Sequence, residues 1–182
     1  MSELTRMIKL RPLPAQPVTV DADAAERAAL TQRFGLSSIE SLVAQIELEN
    51  DGDAVRATGT MRATFTQVCA VSAEDFSVEA DEELALLFVA ADPDAAEAAG
   101  NLENLPGTAS EIELSGDELD EIAFSGDSFD LGEAVAQTLG LAIDPYAEGP
   151  NADAARKQAG IAQEGEQDGP LAEMLKGLTG KD

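Results

Sequence analysis

The chain has 182 residues, with 11 Lys and Arg against 36 Asp and Glu, and a formal net charge of −25 at pH 7. It has no histidine and one cysteine, which excludes histidine-base catalysis, most zinc and haem sites and an internal disulfide bond. Hydrophobic residues make up 44%, enough for a core, and no secretory signal or membrane span is visible. We expect a cytoplasmic protein that binds neither DNA nor a membrane.

Charge is distributed unevenly along the chain. Residues 1–62 contain seven of the eleven cations, whereas residues 63–155 contain 22 acids and no Lys or Arg. A block of one sign repels RNA and attracts basic partners. A solvated acidic surface that keeps the protein soluble is the alternative interpretation.

The N-terminal part predicts an extended arm followed by a helix. Three prolines between residues 8 and 20 favour an extended arm or an edge strand. Asp23 predicts the N-cap of a helix, and Glu26 completes a capping box with it. Gly35 predicts the end of that helix near Phe34.

Three segments with period-two alternation follow, at about residues 44–49, 55–66 and 76–89. Residues 50–53 supply a tight turn between the first two, so these predict a hairpin. Glu82 falls on the inward side of the third segment, which indicates a bulge or bend near it. The polar residues of the alternation predict a β-meander with one solvated face.

The strongest helical pattern follows Asp130, a predicted N-cap, and ends at Pro145. Its apolar stripe contains Leu131, Ala134, Val135, Leu139, Leu141 and Ile143. Short strands are predicted at residues 112–114 and 122–124. Residues 147–168 lack apolar periodicity, which predicts disorder, and residues 171–178 predict a short terminal helix.

These patterns predict an α+β fold: an antiparallel β-meander or partly closed barrel, with an N-terminal and a C-terminal helix packed on it. The predicted organisation is an extended arm over residues 1–20 and a single domain over residues 21–146. A disordered acidic tail with a short terminal helix follows over residues 147–182.

The sequence offers little for catalysis or metal binding. The acidic pairs Asp92/Asp94, Asp117/Glu118 and Asp120/Glu121 carry the oxygen ligands that Mg²⁺ and Ca²⁺ prefer. No window has the spacing of a calcium loop, and no phosphate-binding loop is present. We therefore expect no catalytic residue, metal or cofactor; a divalent-metal carboxylate enzyme is the alternative.

Cys69 and a group of cations are the remaining candidate residues. Because no cation lies within six residues of Cys69, a small buried side chain is favoured over a redox-sensing thiol. Arg56 and Arg62 lie on the polar side of the second strand, where a solvated sheet face is the plainer interpretation. As a functional alternative, the candidate contacts to RNA phosphate or a partner are Arg6, Lys9, Arg11, Arg56 and Arg62.

Two segments resemble the signatures of a known family. VRATGTMRATFTQVCAVSAEDFSVEADEELALLF is similar to the central signature of the YceD family, which is named for large ribosomal RNA subunit accumulation. DSFDLGEAVAQTLGLAIDPY resembles that family's Asp-Leu-Gly-Glu helix, and PLAEMLKGL its short closing helix. The positions that match the family motifs are Gly59, Cys69, Asp130, Leu131, Gly132, Glu133 and Pro145.

The resemblance implies a non-enzymatic bacterial factor that supports 23S ribosomal RNA accumulation and large-subunit assembly. Many relatives have a second cysteine at the position of Ser72 and a cysteine cluster in the region that corresponds to residues 146–156. This chain has no cysteine at either place, so the resemblance implies no zinc site here. Because a charge of −25 opposes RNA binding, we expect a basic ribosomal protein or a large-subunit precursor as partner, with limited direct RNA contact. An acidic protein-interaction or stress adaptor unrelated to ribosomes is the alternative.

Overall fold

The computed structural model describes residues 2–91 and 120–161. Seven strands and three helices lie within these two ranges. In chain order they are β1 (Met7–Lys9), β2 (Val18–Asp21), α1 (Ala24–Phe34), β3 (Ser38–Asp51), β4 (Ala54–Val68), β5 (Asp75–Ala90), β6 (Asp120–Phe124), β7 (Ser128–Asp130), α2 (Leu131–Ala142) and α3 (Ala152–Gln158).

Five strands form one sheet in the order β2-β3-β4-β5-β6, and β1 pairs with β7 in a separate two-stranded sheet. The β3–β4 hairpin turns at Gly52, whose φ of 67° suits a residue without a Cβ. The predicted meander is supported by this order. Among the described strands, β2 and β6 lie at the two edges, so the sheet is open and the predicted barrel is not seen.

The last strand of this sheet departs from a simple meander. The predicted strand at residues 122–124 is confirmed as β6, but β6 pairs with β5 in parallel, with Phe88 opposite Ile122. Parallel neighbours need a long connection, because the chain must return to the same end of the sheet. Residues 92–119 of that connection, with the strand predicted at residues 112–114, lie outside the described residues.

Helix α1 begins and ends where the local sequence predicts. The Asp23 carboxylate accepts hydrogen bonds from the backbone N–H groups of Ala25 and Glu26, and the Glu26 side chain returns one to Asp23 N, which completes the capping box. Gly35 ends the helix in the left-handed conformation, with φ 65°. The helix contacts β3 and buries Leu30 completely.

Helix α2 follows the predicted pattern with two exceptions, since it ends at Ala142, before Ile143 and Pro145, and Leu141 is not buried. Asp130 caps it, and Leu131, Val135 and Leu139 are fully buried. Leu141, predicted on the apolar stripe, is 83% exposed. It lies in the last turn of the helix, where the next two residues, Ala142 and Ile143, are the ones partly buried against the core.

The hydrophobic core is mostly aliphatic, as the low aromatic content predicts. Its aromatic part is a cluster in which the rings of Phe88 and Phe129 stack at 4.1 Å and Phe124 lies 5.9 Å from Phe129. Leu4, in the predicted arm, is fully buried within the core cluster. The N-terminal residues therefore contribute to the folded core.

Contacts divide the chain into two compact units. The first comprises Met1–Thr66 and Ser77–Ile143 and contains the core; the second comprises Gln67–Phe76 and Asp144–Asp182. Within the second unit, α3 (Ala152–Gln158) forms in a stretch for which disorder was predicted. Arg156 pairs with Glu148 and Asp153 there, so polar contacts replace the apolar periodicity that the prediction relied on. The predicted terminal helix lies outside the described residues.

Candidate functional site

One side of the five-stranded sheet is exposed and strongly charged. We call it the acidic sheet face, and its carboxylates are Glu47, Glu49, Glu79, Asp81 and Glu83. Strand β4 lies between the two strands that carry them and contributes threonines to the same face. Among the residues that the structure describes, Asp81 has an ion-pair partner and the other four carboxylates have none. The face therefore keeps an uncompensated negative charge, whose field extends about 8 Å at physiological salt.

Two of the predicted contact cations lie on β4. Arg56 pairs with Asp51 at 2.7 Å, and Arg62 pairs with Asp81 at 3.0 Å. The Arg62 side chain is 75% exposed, and exposed pairs of this kind contribute little to stability. The structure thus brings Arg56 and Arg62 to the sheet face, where carboxylates outnumber them.

The other predicted cations belong to the N-terminal segment. Arg6 donates to both carboxylate oxygens of Glu26, at 2.6 and 2.9 Å, and to the carbonyl oxygen of Asp21 at 2.9 Å. The hydrogen bonds to Glu26 raise the pKa of Arg6 and lower that of Glu26. Lys9 and Arg11 are exposed. Arg6 therefore ties the N-terminal segment to α1, and no described contact joins it to Arg56 or Arg62.

Asp130 connects two segments of backbone at the start of α2. Its Oδ1 accepts hydrogen bonds from Gly132 N at 3.0 Å and Glu133 N at 3.3 Å, which caps the helix. The same oxygen accepts one from Arg6 N at 2.8 Å. An N-cap satisfies backbone N–H groups that have no partner within the helix, so this carboxylate fixes both the helix start and the N-terminal segment.

Gly132 allows the N-terminal segment to approach α2 closely. A Cβ at this position would lie 2.6 Å from the Leu4 carbonyl oxygen and 2.8 Å from Arg6 N. Real Cβ atoms do not approach backbone atoms so closely, since interiors are packed to van der Waals contact. The neighbouring Leu131 is fully buried, and its N–H donates to the Arg6 carbonyl oxygen at 3.0 Å.

Glu133 completes this junction with an ion pair that the sequence did not reveal. Arg33 binds both of its oxygens, and Ser2 donates to Oε2 at 2.6 Å. The Arg33 guanidinium is the main cause that lowers the pKa of Glu133 to about 2. Arg33 also pairs with Glu3 at 3.0 Å. The glutamate of the Asp-Leu-Gly-Glu motif, in a chain with few cations, was the available signal for an ion pair. Nothing in the sequence spacing identifies Arg33 as its partner.

Gly59 has a comparable role in the sheet. It lies opposite Ile46 in the β3–β4 ladder. A Cβ on Gly59 would meet the Gln45 carbonyl oxygen at 2.0 Å and the Ile46 Cα at 2.9 Å. The two strands approach each other there more closely than a side chain permits, so this glycine is required by packing.

Cys69 lies just after β4, within the second compact unit, and is 2% exposed, which confirms that it is buried. Its sulfur accepts hydrogen bonds from Val71 N at 3.4 Å and Ser72 N at 3.3 Å. Hydrogen bonds from the Ser72 side chain and backbone lower the pKa of the thiol from 9.0 to about 7. The absence of a nearby cation in the sequence had suggested no such shift, because backbone donors cannot be read from composition.

The family model described as "Large ribosomal RNA subunit accumulation protein YceD" matches residues 57–175. This match covers more than half of the chain. The chain belongs to the YceD family. No curated protein and no solved structure matches it. The YceD family is named for a role in ribosome biogenesis and is not known as a family of enzymes.

The positions that resemble family motifs make structural contacts in this chain. Asp130 to Glu133 lie inside the matched range, whereas the residues that they hold, from Ser2 to Arg6 together with Arg33, lie before it. Pro145 follows the end of α2, where the backbone has become extended at Ile143, and a proline cannot continue a helix. These residues therefore stabilise the fold.

Within residues 2–91 and 120–161, no three His, Cys, Asp or Glu side chains are grouped so that they could hold a metal ion. Of the predicted acidic pairs, Asp120 and Glu121 are the ones that fall in these ranges, and both are exposed. No helix in these two ranges is long and apolar enough to cross a membrane.

Proposed function

We propose that the chain is a non-enzymatic factor in large ribosomal subunit assembly whose acidic sheet face binds a basic ribosomal protein or a basic part of a precursor particle. The observation that carries this proposal is the set of unpaired carboxylates on that face, in a chain that has no Lys or Arg between residues 63 and 155. Membership of the YceD family supplies the ribosomal context.

Electrostatics favours a protein partner over bare RNA. A protein binds RNA phosphate by releasing counter-ions from it, which requires several cations on one surface. Here Arg56 and Arg62 are paired with acids and surrounded by further carboxylates. A basic protein meets the opposite sign, so its association is accelerated at long range and slowed by salt.

Binding of this kind suits a factor that acts on ribosomal proteins before they reach RNA. Such proteins carry dense positive charge, which attracts them to any nucleic acid. A folded surface of opposite sign holds that charge reversibly and releases it to the stronger field of ribosomal RNA. Direct contacts to RNA are then confined to Arg6, Lys9, Arg11, Arg56 and Arg62, and the protein acts in the cytoplasm.

Affinity capture from a bacterial cell extract tests the proposal. The tagged full chain is compared with Glu47→Gln/Glu79→Gln on the acidic sheet face and with the control Asp53→Asn/Asp127→Asn. All four side chains are exposed and have no described partner, so the two variants change the net charge equally.

We expect the wild type and the control to retain basic ribosomal proteins or precursor particles. The sheet-face variant should retain about threefold less at low salt, because each charge lost from an exposed contact costs a fraction of a kcal/mol. Sedimentation of the captured particles identifies large-subunit precursors. If no ribosomal protein or precursor is retained by the wild type, the proposed function is wrong.

A further inference from the structure

Glu82 is an acid on the core side of strand β5. Exposure alternates along this strand from Asp75 to Val89, and Glu82 lies in the inward series between Ala80 and Leu84. The alternation continues through Glu82, near which a bulge or bend is predicted. Among the described residues, the half-buried Glu82 carboxylate has no hydrogen-bond or ion-pair partner. An unpaired charge that is partly removed from water favours a cation beside it.

Glu82 opens into a groove between β5, the start of β6 and the last turn of α2. The groove has a volume of about 340 Å³, and its lining residues are Glu82, Glu83, Leu84, Ala85, Leu86, Asp120, Thr138, Leu141 and Ala142. Three of these residues carry carboxylates, of which Glu83 belongs to the acidic sheet face, and none is a cation. The volume is at the lower end of ligand sites, which suits one or two side chains.

The end of α2 adds to the negative field of this groove. The last carbonyl groups of a helix have no partner within it and form the negative end of its dipole. Helices usually carry Lys or Arg near this end, but the last turn of α2 has no basic residue. A cation in the groove would therefore face both the carboxylates and the end of the helix.

Leu141 supplies an apolar contact at the same place. Its side chain is 83% exposed, the largest exposed fraction among the large hydrophobic residues described. Lys and Arg lay their aliphatic stems along apolar surface and keep the charge at a polar end. The exposed leucine offers a surface for the aliphatic stem of a basic side chain, and the unpaired carboxylates beside it offer a place for its charge.

We propose that this groove binds a basic side chain of the partner, with the aliphatic stem and an adjacent apolar residue of that partner on Leu141 and the charge beside Glu82 and Asp120. The occupant is a protein segment in which Lys or Arg alternates with apolar residues. This inference rests on the proposed function and deepens it, since it locates one anchoring point for the basic partner.

Peptide binding to the full chain tests the groove. The probes are two synthetic peptides of equal length and charge, one alternating lysine with leucine and one alternating lysine with glycine. Fluorescence anisotropy is measured at about 0.01 and about 0.15 M salt, between which the Debye length falls from about 30 to 8 Å. The variants are Glu82→Gln/Asp120→Asn and Leu141→Ser, with Asp53→Asn/Asp127→Asn as the equal-charge control.

We expect Leu141→Ser to weaken the lysine–leucine peptide roughly tenfold, since burial of a leucine side chain supplies that much affinity, and to leave the lysine–glycine peptide unchanged. Glu82→Gln/Asp120→Asn should weaken both peptides more than the control does. Leu141 is exposed, so its replacement leaves the fold intact, and circular dichroism verifies this. Equal losses in the groove variant and the control, or no effect of Leu141→Ser, would overturn the inference.

Two other occupants give distinct results that also overturn it. A synthetic peptide of residues 170–181 that binds more tightly than the lysine–leucine peptide would assign the groove to this chain's own terminus. A dimer in sedimentation equilibrium that Leu141→Ser abolishes would assign it to a second copy.

If groove variants lose peptide binding while the wild type captures no ribosomal component, the proposed function fails and the groove stands. If capture persists in those variants and peptide binding is unchanged, the groove fails and the function stands.

Discussion

Arg33 donates two hydrogen bonds to Glu133, from Nη1 to Oε2 at 3.0 Å and from Nη2 to Oε1 at 2.8 Å. The two residues are 100 positions apart in the chain, and the pair joins the last turn of α1 to the first turn of α2. Bidentate pairs of this kind are stronger and more directional than single ion pairs. Glu133 also accepts from Ser2, so one carboxylate holds three separate segments together.

Replacement of Glu133 by glutamine is expected to lower the free energy of unfolding by about 2 kcal/mol at neutral pH, because it removes the charge that receives these hydrogen bonds. The pKa of Glu133 is lowered to about 2 from an ordinary 4.5. Its contribution is therefore complete above about pH 4.5 and is lost as the pH falls towards 2. Urea unfolding of both proteins at a series of pH values should show their difference shrinking over that window.

Glu121→Gln is the matched control for this experiment. Glu121 is exposed and has no described partner, so its replacement should change stability by less than about 0.5 kcal/mol. A difference between wild type and Glu133→Gln that stays constant from neutral pH down to pH 2 would contradict the role assigned to the Arg33 pair.

Gly59→Ala and Gly132→Ala should each destabilise the protein by roughly 3 kcal/mol or more, because the added methyl group meets backbone that cannot rotate away. The two contacts are 2.0 Å to the Gln45 carbonyl oxygen and 2.6 Å to the Leu4 carbonyl oxygen. Thermal unfolding measures the effect. Thr58→Ala, at an exposed position next to Gly59 on the same strand, serves as the control. Normal stability of either glycine variant would show that the strands can separate at that point.

The parts of the fold that could be predicted from sequence depend on local chemistry. The Asp23 capping box, the Gly35 helix end and the turn at Gly52 each need side chains only a few residues apart, and all three form. The period-two alternation likewise revealed the β3–β4 hairpin, although β3 begins earlier, at Ser38, than its pattern indicated.

The parts that could not be predicted depend on distant residues. The parallel pairing of β6 with β5 is decided by a long connection, and the burial of Leu4 by a partner segment more than a hundred residues away. The same holds for the candidate site. Three of the five acids of the sheet face belong to the charge block of residues 63–155, but the groove beside Leu141 requires the end of α2 to meet β5. The periodicity argument placed Leu141 inside because it cannot show which residues of the last turn the core reaches; Ala142 and Ile143 are the ones that pack against it.

Cys69 is expected to react slowly in the folded protein although its pKa is about 7, because the residue is 2% exposed and reagents reach it only when the local structure opens. Alkylation by iodoacetamide should be at least about tenfold slower in buffer than in denaturant. Cys69→Ala should lower stability by about 1 kcal/mol, since two N–H groups lose their acceptor, and Cys69→Ser should lower it less. A folded thiol that reacts as fast as the unfolded one would contradict this account.

Arg56 and Arg62 distinguish a basic protein partner from RNA. Replacing both with glutamine removes two cations from the acidic sheet face, which should strengthen binding of a basic ribosomal protein by about twofold to fivefold at low salt and less at physiological salt. If the same residues bind RNA phosphate, the variant should instead bind RNA more weakly, with a smaller salt dependence. The two outcomes have opposite signs, and they are read from two titrations of the variant, one against the captured partner and one against ribosomal RNA.

Because the Arg56 and Arg62 side chains are 43% and 75% exposed, the change should alter stability by less than about 0.5 kcal/mol per site. A binding change is therefore attributable to the contact itself. Stronger binding to the protein supports the proposed function, and weaker binding to RNA alone would assign this face to nucleic acid.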